Sequence, residues 1–168
     1  GRTGVVGLLV GHADIDVNVK NPSGHTPLHE ASWRGRTGVV WLLIGHENID
    51  VNVKDRLEKT PLHEAAGGGR TGVVRLLVGH TNIDVNAKDS SGYTPLHYAS
   101  WRGNADMVRW LIGHENINVN AKDFLEQTPW EGAISRGHVH VMRLFLCHEK
   151  FKPPHHRTQC SFDCSGEI

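Results

Sequence analysis

Cysteine is scarce in this chain and poorly placed to brace a fold. The three present, Cys147, Cys160 and Cys164, all lie near the C-terminus. No disulfide framework can therefore staple the first 146 positions, and a reducing intracellular compartment (cytoplasm or nucleus) is the expectation. Net charge is missing too. Lys plus Arg and Asp plus Glu number 18 each, which leaves no global field to gather nucleic acid or an anionic membrane. No apolar run approaches the roughly 18 residues needed to cross a bilayer. The chain has neither a Met at position 1 nor a signal-peptide pattern. Gly1 aligns with Gly35, halfway through a recurring unit, so the sequence reads as a fragment that further units or another domain flank.

What the chain has in abundance is recurrence. Thr26-Pro27-Leu28-His29 returns as Thr60-Pro61-Leu62-His63, as Thr94-Pro95-Leu96-His97, and in worn form as Thr128-Pro129-Trp130-Glu131. Val17-Asn18, Val51-Asn52, Val85-Asn86 and Val119-Asn120 keep the same interval, as do His12, His46, His80, His114 and His148. A fixed period of this length marks a stacked-repeat architecture, in which each unit packs on its neighbours and no central core forms. A longer period overlies it. The units starting at 21 and 89 share a Ser-Gly turn and Ala-Ser-Trp-Arg-Gly, whereas those starting at 55 and 123 share a Leu-Glu turn, a pattern expected from duplication of two units at once.

The physics of one unit follows from residues 21–54. Asn21 to His25 are rich in turn formers, and Gly24 suits a positive φ. Thr26 offers a hydroxyl to cap a helix, and Pro27 occupies a first-turn position where its missing N–H costs nothing. A short helix to Arg34 ends at Gly35. Val39 to Ile44 then read as a second helix with a wide apolar face, broken at Gly45. Neither helix could persist alone in water, so stacking must supply the missing burial. The fold class expected is an all-α solenoid of helical hairpins.

A turn, Thr-Pro-Leu-His-x-Ala, a Gly, Val-Val-x-Leu-Leu and then Asp-Val-Asn-Ala-Lys-Asp together resemble the ankyrin repeat, over about residues 1 to 150. The resemblance implies antiparallel helix pairs with projecting β-hairpin loops, and a non-catalytic role in binding other proteins. It divides the chain into a partial repeat at 1–20, repeats at 21–54, 55–88 and 89–122, and a degenerate repeat at 123–150. It also implies that Thr26 with His29, Thr60 with His63 and Thr94 with His97 hydrogen-bond within and between repeats. The Asn residues of the Val-Asn pairs become candidate substrates of asparaginyl hydroxylation, although their primary expected role is to bond their own loop backbone. Departures are visible. The period is 34 rather than 33. Gly4, Gly38 and Gly72 replace better helix formers. Glu58 and Glu126 stand where Gly24 and Gly92 do, so either they adopt a left-handed conformation or the loop is reshaped. Glu131 replaces the motif His, which puts the bond to a next unit in doubt.

Chemistry-bearing patterns are absorbed by the repeat. Gly67-Gly68-Gly69-Arg70-Thr71-Gly72 matches G-x-G-x-x-G, but a dinucleotide fingerprint needs a preceding strand, and here the register supplies a helix. Successive histidines of one column are spaced by a helix layer of roughly 8–10 Å, too far to share a zinc ion. No catalytic residue, cofactor or metal is expected. The tail, 151–168, with His155, His156, Cys160 and Cys164 near Cys147 and His148, reads as unstructured, with a cap over the last repeat or loose zinc binding as alternatives.

The resemblance also implies that the positions free to vary are those at the hairpin tips and on the concave face of the first helices. Here they are Ser23, His25, Trp33 and Arg34, then Arg56, Leu57 and Lys59 beside Gly67 and Gly68. Further along are Ser90, Ser91, Tyr93, Trp101 and Arg102, and last Phe124, Leu125, Gln127, Ser135 and Arg136. These are the candidate partner-binding residues, led by Trp33-Arg34 and Trp101-Arg102, because Trp, Tyr and Arg dominate interface hot spots. The two tryptophans could instead pad the stack. Trp110 and Trp130 replace Leu and are expected in the core; Trp41 matches Arg75 and is expected outside. The function expected is a protein-binding scaffold, or alternatively a regulatory arm of a larger polypeptide acting in cis, with no nucleic-acid or membrane partner.

Overall fold

The computed structural model describes residues 15–153 together with Gly4 and Gly7. Across residues 15–153, eight helices run in four hairpins: α1 (Pro27–Trp33) with α2 (Thr37–Ile44), α3 (Pro61–Gly68) with α4 (Thr71–Val78), α5 (Pro95–Arg102) with α6 (Ala105–Ile112), and α7 (Pro129–Ser135) with α8 (Val139–Leu146). Each first helix starts at an extended Thr followed by Pro. The turn into the second helix passes through Gly35, Gly69, Gly103 or Gly137, all with φ between 68° and 72°.

First helices stack on first helices and second helices on second helices, giving a two-layered solenoid. Leu28, Leu62 and Leu96 are fully buried between the layers with Val40, Val74, Val108, Leu77 and Leu111. Small residues let the first helices close up: Ala31 with Ser32, Ala65 with Ala66, Ala99 with Ser100, and Gly132 with Ala133 are all buried. Trp130 takes the Leu position of the fourth hairpin and is buried as expected, with its ring against Phe145 and Phe151 at centroid distances of 6.1 and 4.9 Å. Phe151, which the sequence assigns to the tail, thus packs on the last hairpin. Residues 154–168, including His155, His156, Cys160 and Cys164, lie outside the described residues, as does His12.

Trp110 departs from expectation: it is 46% exposed. Its counterparts Leu42 and Leu76 are themselves only half-buried, because this position sits at the margin of the second-helix layer. An indole there has no room inward, and it lies outward beside the Arg75 guanidinium, 6.0 Å from its ring centre. Trp41 is 63% exposed, as its alignment with Arg75 requires.

Three polar ladders fix one unit to the next. In the first, the motif His reaches across the interface: Nε2 of His29, His63 and His97 donates to the carbonyls of Lys59, Tyr93 and Gln127 at 2.9, 2.9 and 3.1 Å. That donation leaves Nδ1 to accept from the amides of Thr26, Thr60 and Thr94 at 3.0–3.2 Å. Glu131 caps its own helix, accepting from Thr128 N at 2.7 Å, and makes no bond to a following unit among the described residues.

The second ladder corrects the reading of the Asn residues. Their amides bond the neighbouring loop, not their own. Asn52 Nδ2 donates to Asn82 O at 2.7 Å while its Oδ1 accepts from Asp84 N at 2.8 Å. Asn18, Asn86 and Asn120 repeat the pattern. The residue bonding its own loop is two positions earlier: Asp50 Oδ1 accepts from Asn52 N at 2.9 Å. In the third ladder Lys20, Lys54 and Lys88 donate from Nζ to the carbonyls of Lys54, Lys88 and Lys122.

Candidate functional site

The hairpin tips are built around a carboxylate or its amide. Asp55 Oδ1 accepts from the amides of Leu57 and Lys59 at 2.8 and 2.9 Å, and Asp89, Asp123 and Asn21 organise their own tips in the same way. Each tip is closed by two backbone bonds, such as Asp55 N to Lys59 O at 3.0 Å and Glu58 N to Asp55 O at 3.1 Å, and tied to the next by a third, such as Ser90 N to Leu57 O at 2.9 Å. These tips are turns; no strand forms among the described residues. At the alternate tips Glu58 and Glu126 do adopt the left-handed conformation, with φ of 58° and 62°. Lys54 and Lys122 hold their carboxylates at 3.1 and 2.7 Å.

Ser23, Arg56, Leu57, Ser90, Ser91, Phe124, Leu125 and Gln127 are exposed on these tips, with Phe124 and Leu125 the extreme cases at 70% and 73%. His25 is not available in the same way. Its ring stacks on His29 at 5.5 Å, and Nε2 faces Asp55 Oδ2 at 3.1 Å. His25, Asp55 and Glu64 bring three metal-ligating atoms within 4.8 Å of one another, a grouping the repeat register does not reveal because it straddles two units. Each donor already has a protein partner, however: Lys59 Nζ lies 3.6 Å from Glu64, and Asp55 faces both its own tip and His25.

Inward of the tips, the first helices carry an open groove of about 830 Å³. Trp33 stands at one end, with Gly67, Tyr98 and Lys59 along the floor and wall, and Trp101, Arg102, Arg136 and His138 at the other end. The structure thus gathers Trp33, Lys59, Trp101, Arg102 and Arg136 from the sequence candidates and adds Tyr98 and His138. Tyr93 is half-buried beneath Trp101, their ring centroids 4.4 Å apart in an edge-to-face arrangement. Arg34 is drawn to Glu30 at 3.0 Å, and that bond holds the Glu30 carboxyl below its ordinary range.

The two tryptophans are not equivalent. Trp101 is half-buried, edge-to-face with both tyrosines, and occupies the space a side chain at Gly132 would need. It packs the stack and faces the groove at once, with the Arg136 guanidinium 6.0 Å from its ring centre. His138 Nε2 donates to the Trp101 carbonyl at 2.9 Å and fixes that helix end. Trp33 is nearly half exposed and projects beside Gly67. A Cβ at Gly67 would meet Tyr98 at 3.7 Å and Trp33 at 3.9 Å, so the glycine leaves a slot between the two rings. Gly68 instead permits a close helix approach, since a Cβ there would come to 3.0 Å from the Trp33 carbonyl.

Buried acids tune the wall. Tyr98 Oη donates to Asp89 Oδ2 at 2.7 Å, and burial together with that bond raises the phenol pKa well above its ordinary value. Lys59 lies over the same ring at 5.2 Å. One unit on, Gly132 stands where Tyr98 does, so Asp123 Oδ2 is buried without a hydrogen-bond partner among the described residues. What precedes Gly67-Gly68-Gly69 is helix α3, so the glycine run serves helix packing and the turn into α4.

A family model described as ankyrin repeats (3 copies) matches residues 1–55 and 48–123. The chain belongs to the ankyrin-repeat family. Such repeats are generally protein–protein interaction modules, and their all-α fold is typically non-catalytic. The fourth hairpin lies beyond the matched residues but packs as the others do. A comparison with curated proteins gives no match. Among the described residues no helix is long and apolar enough to cross a membrane.

Proposed function

We propose that this chain is a non-catalytic interaction module that seats a partner protein in the first-helix groove and against the hairpin tips. The observation that carries the reading is the groove itself: a volume of about 830 Å³, open to solvent, walled by Trp33, Tyr98 and Trp101 and by arginines. Large aromatic and guanidinium groups of this kind supply most of the binding energy in protein interfaces. The exposed Leu57, Phe124 and Leu125 extend an apolar rim beside it. The second-helix side has smaller grooves of about 560 and 620 Å³ around Trp41 and Trp110, which leave it as the alternative face.

Affinity capture with the intact chain, compared with a Trp33→Ala, Trp101→Ala double variant, tests the assignment. Partners should be lost from the double variant and kept by Trp41→Ala. Capture unchanged by the groove substitutions, or abolished by Trp41→Ala, moves the interface elsewhere.

A further inference from the structure

The groove departs from the charge balance of the chain that contains it. Lys plus Arg equals Asp plus Glu overall, yet the groove lining includes Lys59, Arg102 and Arg136 and not a single carboxylate. The acids that touch its lining are already engaged: Asp89 by the Tyr98 hydroxyl at 2.7 Å and Glu64 by Lys59 at 3.6 Å. Arg102 and Arg136 have no ion-pair partner among the described residues. They occupy one register position on successive hairpins, at the ends of α5 and α7, and both guanidinium groups border the same opening. One layer back toward the N-terminus the position belongs to Gly68, and the cationic pair gives way to the apolar slot over Gly67. The groove around Trp110 on the opposite side, by contrast, sets Glu115 beside Arg75 and Arg109 in its lining.

Resting on the interaction reading above, we propose that the occupant is an extended acidic segment of the partner, with two carboxylates on Arg102 and Arg136 and one apolar side chain in the slot over Gly67. Guanidinium groups recognise carboxylates bidentately, and the Arg136 guanidinium already lies over the Trp101 ring, 6.0 Å from its centre. Spacing sets the pattern. Helix layers lie roughly 8–10 Å apart, and an extended chain advances about 3.3 Å per residue, so neighbouring contacts fall about three residues apart. The segment therefore reads apolar-x-x-acidic-x-x-acidic, or its reverse. A single-stranded nucleic acid is disfavoured: only Arg102 and Arg136, at one end of the groove, are unpaired among the described residues that line it, while Lys59 beside the slot is already matched by Glu64.

The test is selection of a random dodecapeptide library on the whole chain, followed by titration of the enriched peptides. Enrichment of Asp or Glu at three-residue spacing beside an apolar residue is the expected result. Arg102→Gln and Arg136→Gln should each weaken those peptides about tenfold, and the grip should fall as salt rises. Gly67→Leu should erase the apolar preference and spare the acidic one, while circular dichroism establishes that each variant folds. Peptides without acidic enrichment, or acidic peptides indifferent to both Arg substitutions, overturn the proposal, as does tighter binding of a single-stranded oligonucleotide than of any peptide. If neutral peptides emerge that Trp33→Ala with Trp101→Ala abolishes, the acidic chemistry falls and the groove stands. If no groove substitution matters, both fall.

Discussion

His63 is almost fully buried, and its desolvated imidazole is pushed from an ordinary 6.5 down to about 4, against the milder pull of its bond to the Tyr93 carbonyl. His29 and His97 are lowered for the same reason. Between those pH values the unfolded chain binds a proton that the folded one refuses. Stability is therefore present in full above pH 6.5 and is lost as the pH falls toward 4. His63 alone accounts for about 3 kcal/mol of that loss by the linkage relation, and its two equivalents add in the same direction. Urea midpoints measured at steps from pH 7.5 to pH 4.5 should hold to about pH 6.5 and then fall, by about two orders of magnitude in the folding constant from His63 alone, and a His63→Gln variant should show a shallower slope. A second residue-scale expectation concerns Gly67. A methyl there meets only ordinary contacts on Tyr98 and Trp33, so Gly67→Ala should stabilise the fold by about 0.5–1 kcal/mol through helix propensity. A lowered urea midpoint would mean that the slot is filled more tightly than those distances imply.

At the scale of elements, the turns and rungs decide which neighbours a helix pair accepts. Glu58 holds a left-handed backbone that costs roughly 1 kcal/mol for a residue with a Cβ, and its exposed pairing with Lys54 returns little of that. Glu58→Gly should thus raise stability by about 0.5–1 kcal/mol, read as an increased thermal midpoint. Asn52→Ala should do the opposite, by about 1 kcal/mol, because it strips a partner from both Asn82 O and Asp84 N. The Thr-Pro-Leu-His cap, the glycine turns and the helix pairs were legible in the sequence because each is a local preference repeated in register. The rungs were not: an Asn beside a turn reads as a local cap, and nothing within its own unit says that its amide reaches the next. Trp110 was misplaced for a related reason. Its Leu counterparts look like core residues in a linear pattern, whereas their depth depends on how two layers curve past each other. The His25–Asp55–Glu64 grouping and the slot over Gly67 likewise belong to interfaces between units.

On the scale of the whole molecule, stability is distributed unit by unit. The hairpins α3–α4 and α5–α6 are covered on both sides, while α7–α8 leans on a neighbour only toward the α5–α6 hairpin among the described residues. Native-state hydrogen exchange should accordingly find the amides of α3 and α5 protected longest and those of α7 and α8 opening at lower free energy. Uniform protection along the chain would mean that the array unfolds as one cooperative block.

The Asn rungs carry a longer consequence. Each rung grips main-chain atoms, and those are the same whatever side chains the adjacent unit bears. A hairpin spliced in or excised at this seam would find its docking contacts ready-made, so the array can be lengthened or shortened without redesigning the joint. Variation in the groove is then uncoupled from variation in length, and a lineage could try new partners by shuffling whole units.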